Sequence, residues 1–353
     1  MKAGKTLQEL AIEIDRQNNA KKDYIANTSK MQMMITDDKN KGFPVLNLPN
    51  LQNFGINEIA HDQIGTKLGI PARYYNKMLT DNPELLATNV NSRFHKEPVK
   101  RMVRTLDGTV RAFLSDRYRR IDNYEIANAV LPIIAEMQGA TVASCELTER
   151  RLYLKVLNPR IETEIVPGDI VQSGILISNS ETGLGSVSVM PLIYRLVCSN
   201  GMIANDFGKR KYHTGRMNES DYNFEIYRSE TIMADDKAFI MKLQDIVRAT
   251  SDKMQFEYMV SAMRKGTEAK ITSADVPGVV ELTAKTYGFH EKESKGILHH
   301  LIRGEELSLY GLANAVTRQA QDVECYDRST ELEITAWQIL NMARGDWQRL
   351  NAA

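Results

Sequence analysis

Across 353 residues the 45 lysines and arginines balance 45 aspartates and glutamates, and 42% of the chain is hydrophobic, as in a soluble globular protein with room for two domains or for one large domain with a helical extension. No run approaches the ~20 apolar residues of a membrane span, and residues 1–16 are too polar for a secretory signal. Cys145, Cys198 and Cys325 are few and far apart, which argues against a disulfide framework or a zinc site and for reduced thiols in a cytoplasm.

Leu7, Leu10, Ala11 and Ile14 recur at helical spacing and predict an amphipathic N-terminal helix. A strand is expected at 31–35, before a polar break at 37–42. Ile56, Ile59, Ala60, Ile64 and Leu68 form the next helical stripe. Gly69-Ile70-Pro71 ends it and opens another helix, and Pro83 starts a third that carries Leu85, Leu86 and Val90.

Residues 93–120 concentrate positive charge: nine cations stand against Glu97, Asp107 and Asp116, a net +6. The same stretch reads as a β-hairpin. Val99, Met102 and Val103 run along one strand, Asp107-Gly108 supplies a two-residue turn, and Val110, Phe113 and Leu114 return. Such a face suits a polyanion, nucleic acid being the commonest. The competing reading is the solvated side of a half-buried hairpin.

Asn123 caps a helix whose apolar face includes Ile126, Ala127, Val130, Ile133 and Ile134, placed to cover a small antiparallel sheet. Strand-like runs at 142–147, 152–156, 161–166, 170–177 and 187–197 predict a meander that would extend the hairpin's sheet. Between the last two lies a polar loop with Ser178, Asn179, Ser180, Thr182, Gly183 and Gly185. It is either a long hairpin turn or a cradle that binds a ligand through backbone amides; it lacks the lysine of a P-loop. Cys198 has no histidine near it in sequence and reads as a core thiol. Lys209, Arg210 and Lys211 precede Tyr212 in an irregular basic stretch, either a clamp on a nucleic-acid backbone or a solvated linker. No Cys, His or carboxylate spacing matches a metal motif, so no metal, cofactor or catalytic residue is assigned. Beyond residue 225 the stripes Ala238, Met241, Leu243, Ile246, then Leu298, Leu301, Ile302, then Leu332, Trp337, Leu340 predict a helical tail. Its apolar faces serve either self-association or packing on the sheet.

Three strings resemble a phage/plasmid-like family of unknown function: Arg111-Ala112-Phe113-Leu114-Ser115-Asp116-Arg117-Tyr118-Arg119, Ser178-Asn179-Ser180-Glu181-Thr182-Gly183, and Arg195-Leu196-Val197-Cys198-Ser199-Asn200-Gly201-Met202. The likeness covers roughly residues 56–216 and is weaker in the tail, at Leu309-Tyr310-Gly311-Leu312-Ala313-Asn314-Ala315-Val316-Thr317. It implies a mobile-element origin in a bacterial cytoplasm and transfers no catalytic residue. In architecture the basic hairpin, the helix behind it and the strands that follow look like single-strand annealing recombinases of the Rad-fifty-two-like group. That likeness implies rings or filaments with single-stranded DNA in a positive groove.

The chain is therefore read as α+β: an antiparallel β-sheet with a basic β-hairpin backed by helices, followed by an α-helical C-terminal region, in segments 1–55, 56–225 and 226–353. The expected function is non-catalytic binding or annealing of single-stranded DNA in recombination or replication. Lys100, Arg101, Arg104, Arg111, Arg117, Arg119, Arg120, Lys209, Arg210 and Lys211 would neutralise phosphates, while Phe113, Tyr118 and Tyr212 would stack on bases. Expected partners are further copies of the chain and phage or host recombination or replication proteins, with no membrane. The alternatives are an enzyme that uses the 178–186 loop beside Arg195, and a phage protein that blocks a host factor.

Overall fold

The computed structural model describes residues 1–36, 42–206, 209–211, 229–249 and 253–352. Helix α1 (Leu7–Ala20) starts at a capping box, in which Thr6 accepts from the Glu9 amide and Glu9 accepts from the Thr6 amide. A six-stranded sheet follows, built from β1 (Lys22–Asn27), β2 (Gln32–Ile35), β3 (Pro44–Asn47), β4 (Asn53–Ile56), β5 (Lys100–Leu106) and β6 (Thr109–Ser115) in the order β1-β5-β6-β4-β3-β2. The predicted hairpin is β5–β6, and Asp107 and Gly108 both have positive φ (49° and 77°), as its two-residue turn requires. Strand β4 runs parallel to β6, which demands a crossover. That crossover is α2 (Glu58–Lys67), α3 (Ala72–Asp81) and α4 (Pro83–Lys96), whose Ile64, Tyr75, Val90 and Phe94 cover one face of the sheet.

After α5 (Asn123–Glu136), a second sheet is formed by β7 (Thr141–Leu147), β8 (Leu152–Glu164), β9 (Ile170–Asn179), β10 (Val187–Arg195), β11 (Asn200–Ile203) and β12 (Lys209–Lys211). It is an antiparallel meander in the order β7-β8-β9-β10-β11, with β12 also on β10. The runs expected at 152–156 and 161–166 are one strand with an irregularity between Asn158 and Glu162. The meander does not extend the hairpin's sheet. Strand β1 takes the free edge of β5, β4 takes the start of that of β6 at Thr109 and Val110, and the Gln63 side chain of α2 accepts from the Phe113 amide further along it. One face of the second sheet, with Leu154, Val156, Ile175, Ile177 and Val189, lies under α1, α5 and α6 (Ser229–Ala249).

The helical C-terminal region continues through α7 (Lys253–Glu268), α8 (Val276–Tyr287), α9 (Glu291–Arg303), α10 (Leu309–Asp322), α11 (Tyr326–Leu340) and α12 (Arg344–Leu350). Of its predicted stripes, Leu301, Leu332, Trp337 and Leu340 are buried and pack together with Met259 and Met263 and with Val171, Ile193 and Met202 of the second sheet, whereas Met241 and Ile302 are exposed. Helix α11 lies on the second sheet's other face, where Tyr326 packs with Tyr153, Leu176 and Met190. Beneath it Lys155 Nζ donates to Glu333 Oε2 at 2.5 Å, with both groups buried. Such a pair aligns the helix more than it stabilises the fold, because desolvation offsets much of the attraction. Among the described residues no helix is long and apolar enough to cross a membrane.

Candidate functional site

Most of the hairpin's arginines are already paired within the chain. The Arg104 side chain is fully buried; its Nε donates to Asp23 at 2.8 Å, its Nη2 to Asp122 at 2.7 Å and its Nη1 to the Glu181 carbonyl at 2.9 Å. Burial alone would lower the Arg104 pKa, but Asp122 and Asp23 raise it above the ordinary arginine value. Burial likewise pushes the Asp122 carboxyl up, and Arg104 and Lys21 overcome this and hold it at about 2. Arg111 is buried with its Nη2 2.5 Å from Glu181 Oε2, while Glu181 Oε1 accepts from the Asn123 amide at 2.6 Å. Arg119 pairs with Asp235 at 2.5 Å and Arg120 with Asp23 at 3.3 Å. These four arginines meet carboxylates instead of presenting a bare phosphate-binding face. Arg101 is half-buried, and Lys100 and Arg117 are exposed. Phe113 is a core residue stacked on Phe94, with ring centroids 5.9 Å apart, and has no face left for a base. Tyr118 is half-buried and donates to the Ser180 carbonyl at 3.2 Å. Tyr212 lies outside the described residues. For Lys209, Arg210 and Lys211 only the backbone is described, paired with the start of β10 so that Arg210 stands opposite Ser188.

The polar loop is not an open turn. Asn179, Ser180, Glu181 and Thr182 are buried where the hairpin meets the second sheet. Asn179 Nδ2 donates to the Ile121 carbonyl at 3.0 Å and to Asn123 Oδ1 at 2.8 Å. Gln63 of α2 ties both elements together, donating to the Thr182 carbonyl and accepting from the Phe113 amide, each at 2.7 Å. Two of the three strings of the resemblance, distant in sequence, therefore touch. The third does not join them. Arg195 donates to Asp169 at 2.6 Å and to Cys198 Sγ at 3.3 Å, and it sits at the far end of β10, roughly 25 Å from the loop at strand rise. An active site with Arg195 beside the 178–186 loop is therefore not assembled.

Beside the loop opens a cleft of about 720 Å³. Helix α2 supplies Asp62, Gln63 and Lys67 to one wall, and the turn between β7 and β8 supplies Arg150 and Arg151. Helix α11 closes it with Asp327 and Glu331, and Tyr118 stands at the end of the hairpin. Ser178 and Ser188, paired across β9 and β10 with hydroxyls 2.8 Å apart, form the floor. Arg151 Nη2 donates to the Leu184 carbonyl at 2.6 Å, and its guanidinium crosses directly over Gly185, where any Cβ would overlap it. Two of the carboxylates are engaged: Asp327 accepts from Tyr153 at 2.7 Å and Glu331 from Arg328 at 3.1 Å. Among the described residues, Lys67, Arg150 and Arg151 have no carboxylate partner. Arg150 and Arg151 fall between two strand-like runs and Lys67 inside a helical stripe, so none of the three stands out in the sequence. His61, on the inner face of α2, bonds through Nδ1 to the Tyr75 hydroxyl at 2.8 Å, and burial lowers its pKa to about 4. Among the described residues no group of three or more His, Cys, Asp or Glu is placed to hold a metal ion.

Residues 111–351 match the family described as "Domain of unknown function (DUF932)", and since the match spans more than half of the chain, the protein belongs to that family. The matched region begins at Arg111 and takes in the buried loop and the C-terminal helices, among them α11, which closes the cleft. No curated protein and no solved structure matches the chain.

Proposed function

We propose that the protein binds single-stranded nucleic acid without catalysis, in the cleft between α2, the end of the hairpin and α11, in the service of phage or plasmid recombination or replication. The observation that carries this reading is the set of unpaired cations, Lys67, Arg150 and Arg151, around a cleft of about 720 Å³ with a floor of serine hydroxyls. Cations that no carboxylate neutralises can exchange counterions for phosphates, and hydroxyls add hydrogen bonds to phosphate oxygens. Strand β12 supports the same site, since its backbone brings residues 209–211 alongside Ser188. Tyr118 is the stacking candidate that lines the cleft.

A second reading, an enzyme acting on a small phosphorylated molecule, draws on Asp62, Asp327 and Glu331, which put as many carboxylates as cations around the same cleft. Fluorescence anisotropy with oligothymidylate at rising salt tests the first reading. Replacing Lys67, Arg150 and Arg151 together by alanine should weaken binding and flatten the log–log salt slope by about 2, at about 0.7 per lost phosphate contact. A folded triple variant with the parent's affinity and slope would remove the cleft from consideration. Binding of mononucleotides but of no oligonucleotide would favour the enzyme.

A further inference from the structure

The outer strands of the two sheets are finished differently. Asn91 of α4 occupies the open side of β2, where its Oδ1 accepts from the Met33 amide at 2.7 Å and its Nδ2 donates to the Met33 carbonyl at 2.9 Å. The open side of β7 is met by the Lys5 amide, which donates to the Cys145 carbonyl at 2.8 Å. Strand β1 has no such cover among the described residues. Its bonding to β5 continues at Thr28, whose amide donates to the Val99 carbonyl at 2.9 Å. In that register the amides and carbonyls of Lys22, Tyr24 and Ala26 face β5, while those of Asp23, Ile25 and Asn27 turn outward. The outward groups have no hydrogen-bond partner among the described residues, and none of the three residues is buried. Ile25 stands at the middle of the row, 59% exposed, and no proline, glycine or bulge interrupts the strand. Folded proteins blunt an open strand edge, because its row of unpaired donors and acceptors is a template for a further strand. An edge left flat, with an isoleucine at its centre, is a place where a strand adds.

We infer that β1 is a dimer interface, to which a second copy of the chain adds its own β1 antiparallel about a two-fold axis at Ile25. The edge is complementary to itself. With the axis there, the two Ile25 side chains face each other, Asp23 faces Asn27 of the second copy, and Lys22 faces Thr28. Each outward pair exchanges both main-chain hydrogen bonds. Ile25 buries its exposed side chain against its twin, and Asn27 Nδ2, which has no partner among the described residues, comes opposite an acid. No like charges are opposed. An axis at Asp23 would set carboxylate against carboxylate, and an axis at Tyr24 or Ala26 would set Ile25 against Asp23 or Asn27. The contact is isologous, so it closes at two copies. It is independent of the cleft reading, since no residue of β1 lines the cleft, and it leaves the helical tail out of the interface.

The test is sedimentation velocity of the whole chain across the micromolar range, where the parent should shift from monomer to dimer as concentration rises. Ile25→Lys sets two ammonium groups at the axis and removes the apolar contact, so the dimer dissociation constant should rise about a hundredfold. Ile25→Cys gives the positive arm and decides alone if Ile25→Lys does not fold. Opposed residues of a hydrogen-bonded pair have Cα atoms about 5.5 Å apart, within disulfide reach, so mild oxidation should link two copies through this position. Ile12→Cys, exposed on α1, is the control and should link no faster than the parent. A parent that stays monomeric throughout overturns the inference, as does an Ile25→Lys variant that dimerises like the parent. So does an Ile25→Cys variant that links no faster than Ile12→Cys.

Discussion

Arg104 and Arg151 are both arginines beside the same polar loop, and their surroundings differ in kind. Arg104 lies under the hairpin among Asp23, Asp122 and the Glu181 carbonyl, with its side chain sealed from solvent. Arg151 touches the loop through a single carbonyl, that of Leu184, and otherwise faces a cleft. The first is a structural fastener and the second is available. A cation count along the chain ranks the hairpin far above the turn at 150–151. The distinction depends on where the carboxylates come from, because a buried guanidinium persists only with partners at hand.

The sharpest way to break this contrast is to remove the fastener. Arg104→Met should cost about 3 kcal/mol in chemical denaturation, because Asp23 and Asp122 lose the buried cation they share and keep only Arg120 and Lys21. A denaturation curve that overlays the parent's would mean the hairpin arginines are dispensable to the fold after all. The Arg111–Glu181 pair refines the point: each single leucine variant should cost about 3 kcal/mol, and the double variant less than their sum by about 1–3 kcal/mol. Strict additivity would deny that the two side chains act as a pair.

Acid separates the two regions without a mutation. His61, behind the cleft wall, has its folded pKa lowered to about 4 from 6.5, so the unfolded chain binds a proton that the folded chain refuses. Stability from this group is complete above pH 6.5 and falls as pH drops toward 4, by up to about 3 kcal/mol at 1.36 kcal/mol per pH unit. Asp122, with its carboxyl lowered from 3.8 to about 2, keeps its contribution until pH falls below 3.8. Denaturation midpoints at pH 7, 5.5 and 4.5 should therefore decline in the parent and stay flatter in His61→Gln. Equal slopes would show that the imidazole titrates alike in both states. The smallest effect is expected from the available cations: Lys67→Ala and Arg150→Ala should each leave stability within about 0.5 kcal/mol.

The α+β class, the hairpin and its Asp107-Gly108 turn, the Asn123 helix, the meander and the helical tail were legible because each rests on local pattern: alternation, turn chemistry or a stripe. Strands β1, β3 and β4 were not. Lys22-Asp23-Tyr24-Ile25-Ala26-Asn27 has too few apolar residues to stand out, and β3 and β4 are four residues each, with β4 also held by a parallel partner more than fifty positions away. The site was illegible for the same reason. Asp23, Glu181 and Asp235 neutralise arginines that lie 70 to 116 positions from them in sequence. Short-range reading finds charges but not their long-range partners.

Gly185 carries a consequence of its own. In the sequence it reads as one more loop glycine, whereas in the folded chain it is the seat of the Arg151 guanidinium. The nearest atoms to a methyl group at this position belong to the mobile tip of a long side chain, so alanine here can be accommodated by swinging that tip aside. Gly185→Ala would subtract no charge, yet it would relocate one. Placement and quantity of charge are thus separately adjustable in this protein, and natural variants could retune what the cleft accepts through a single methyl while composition, net charge and the paired arginines of the hairpin stay as they are.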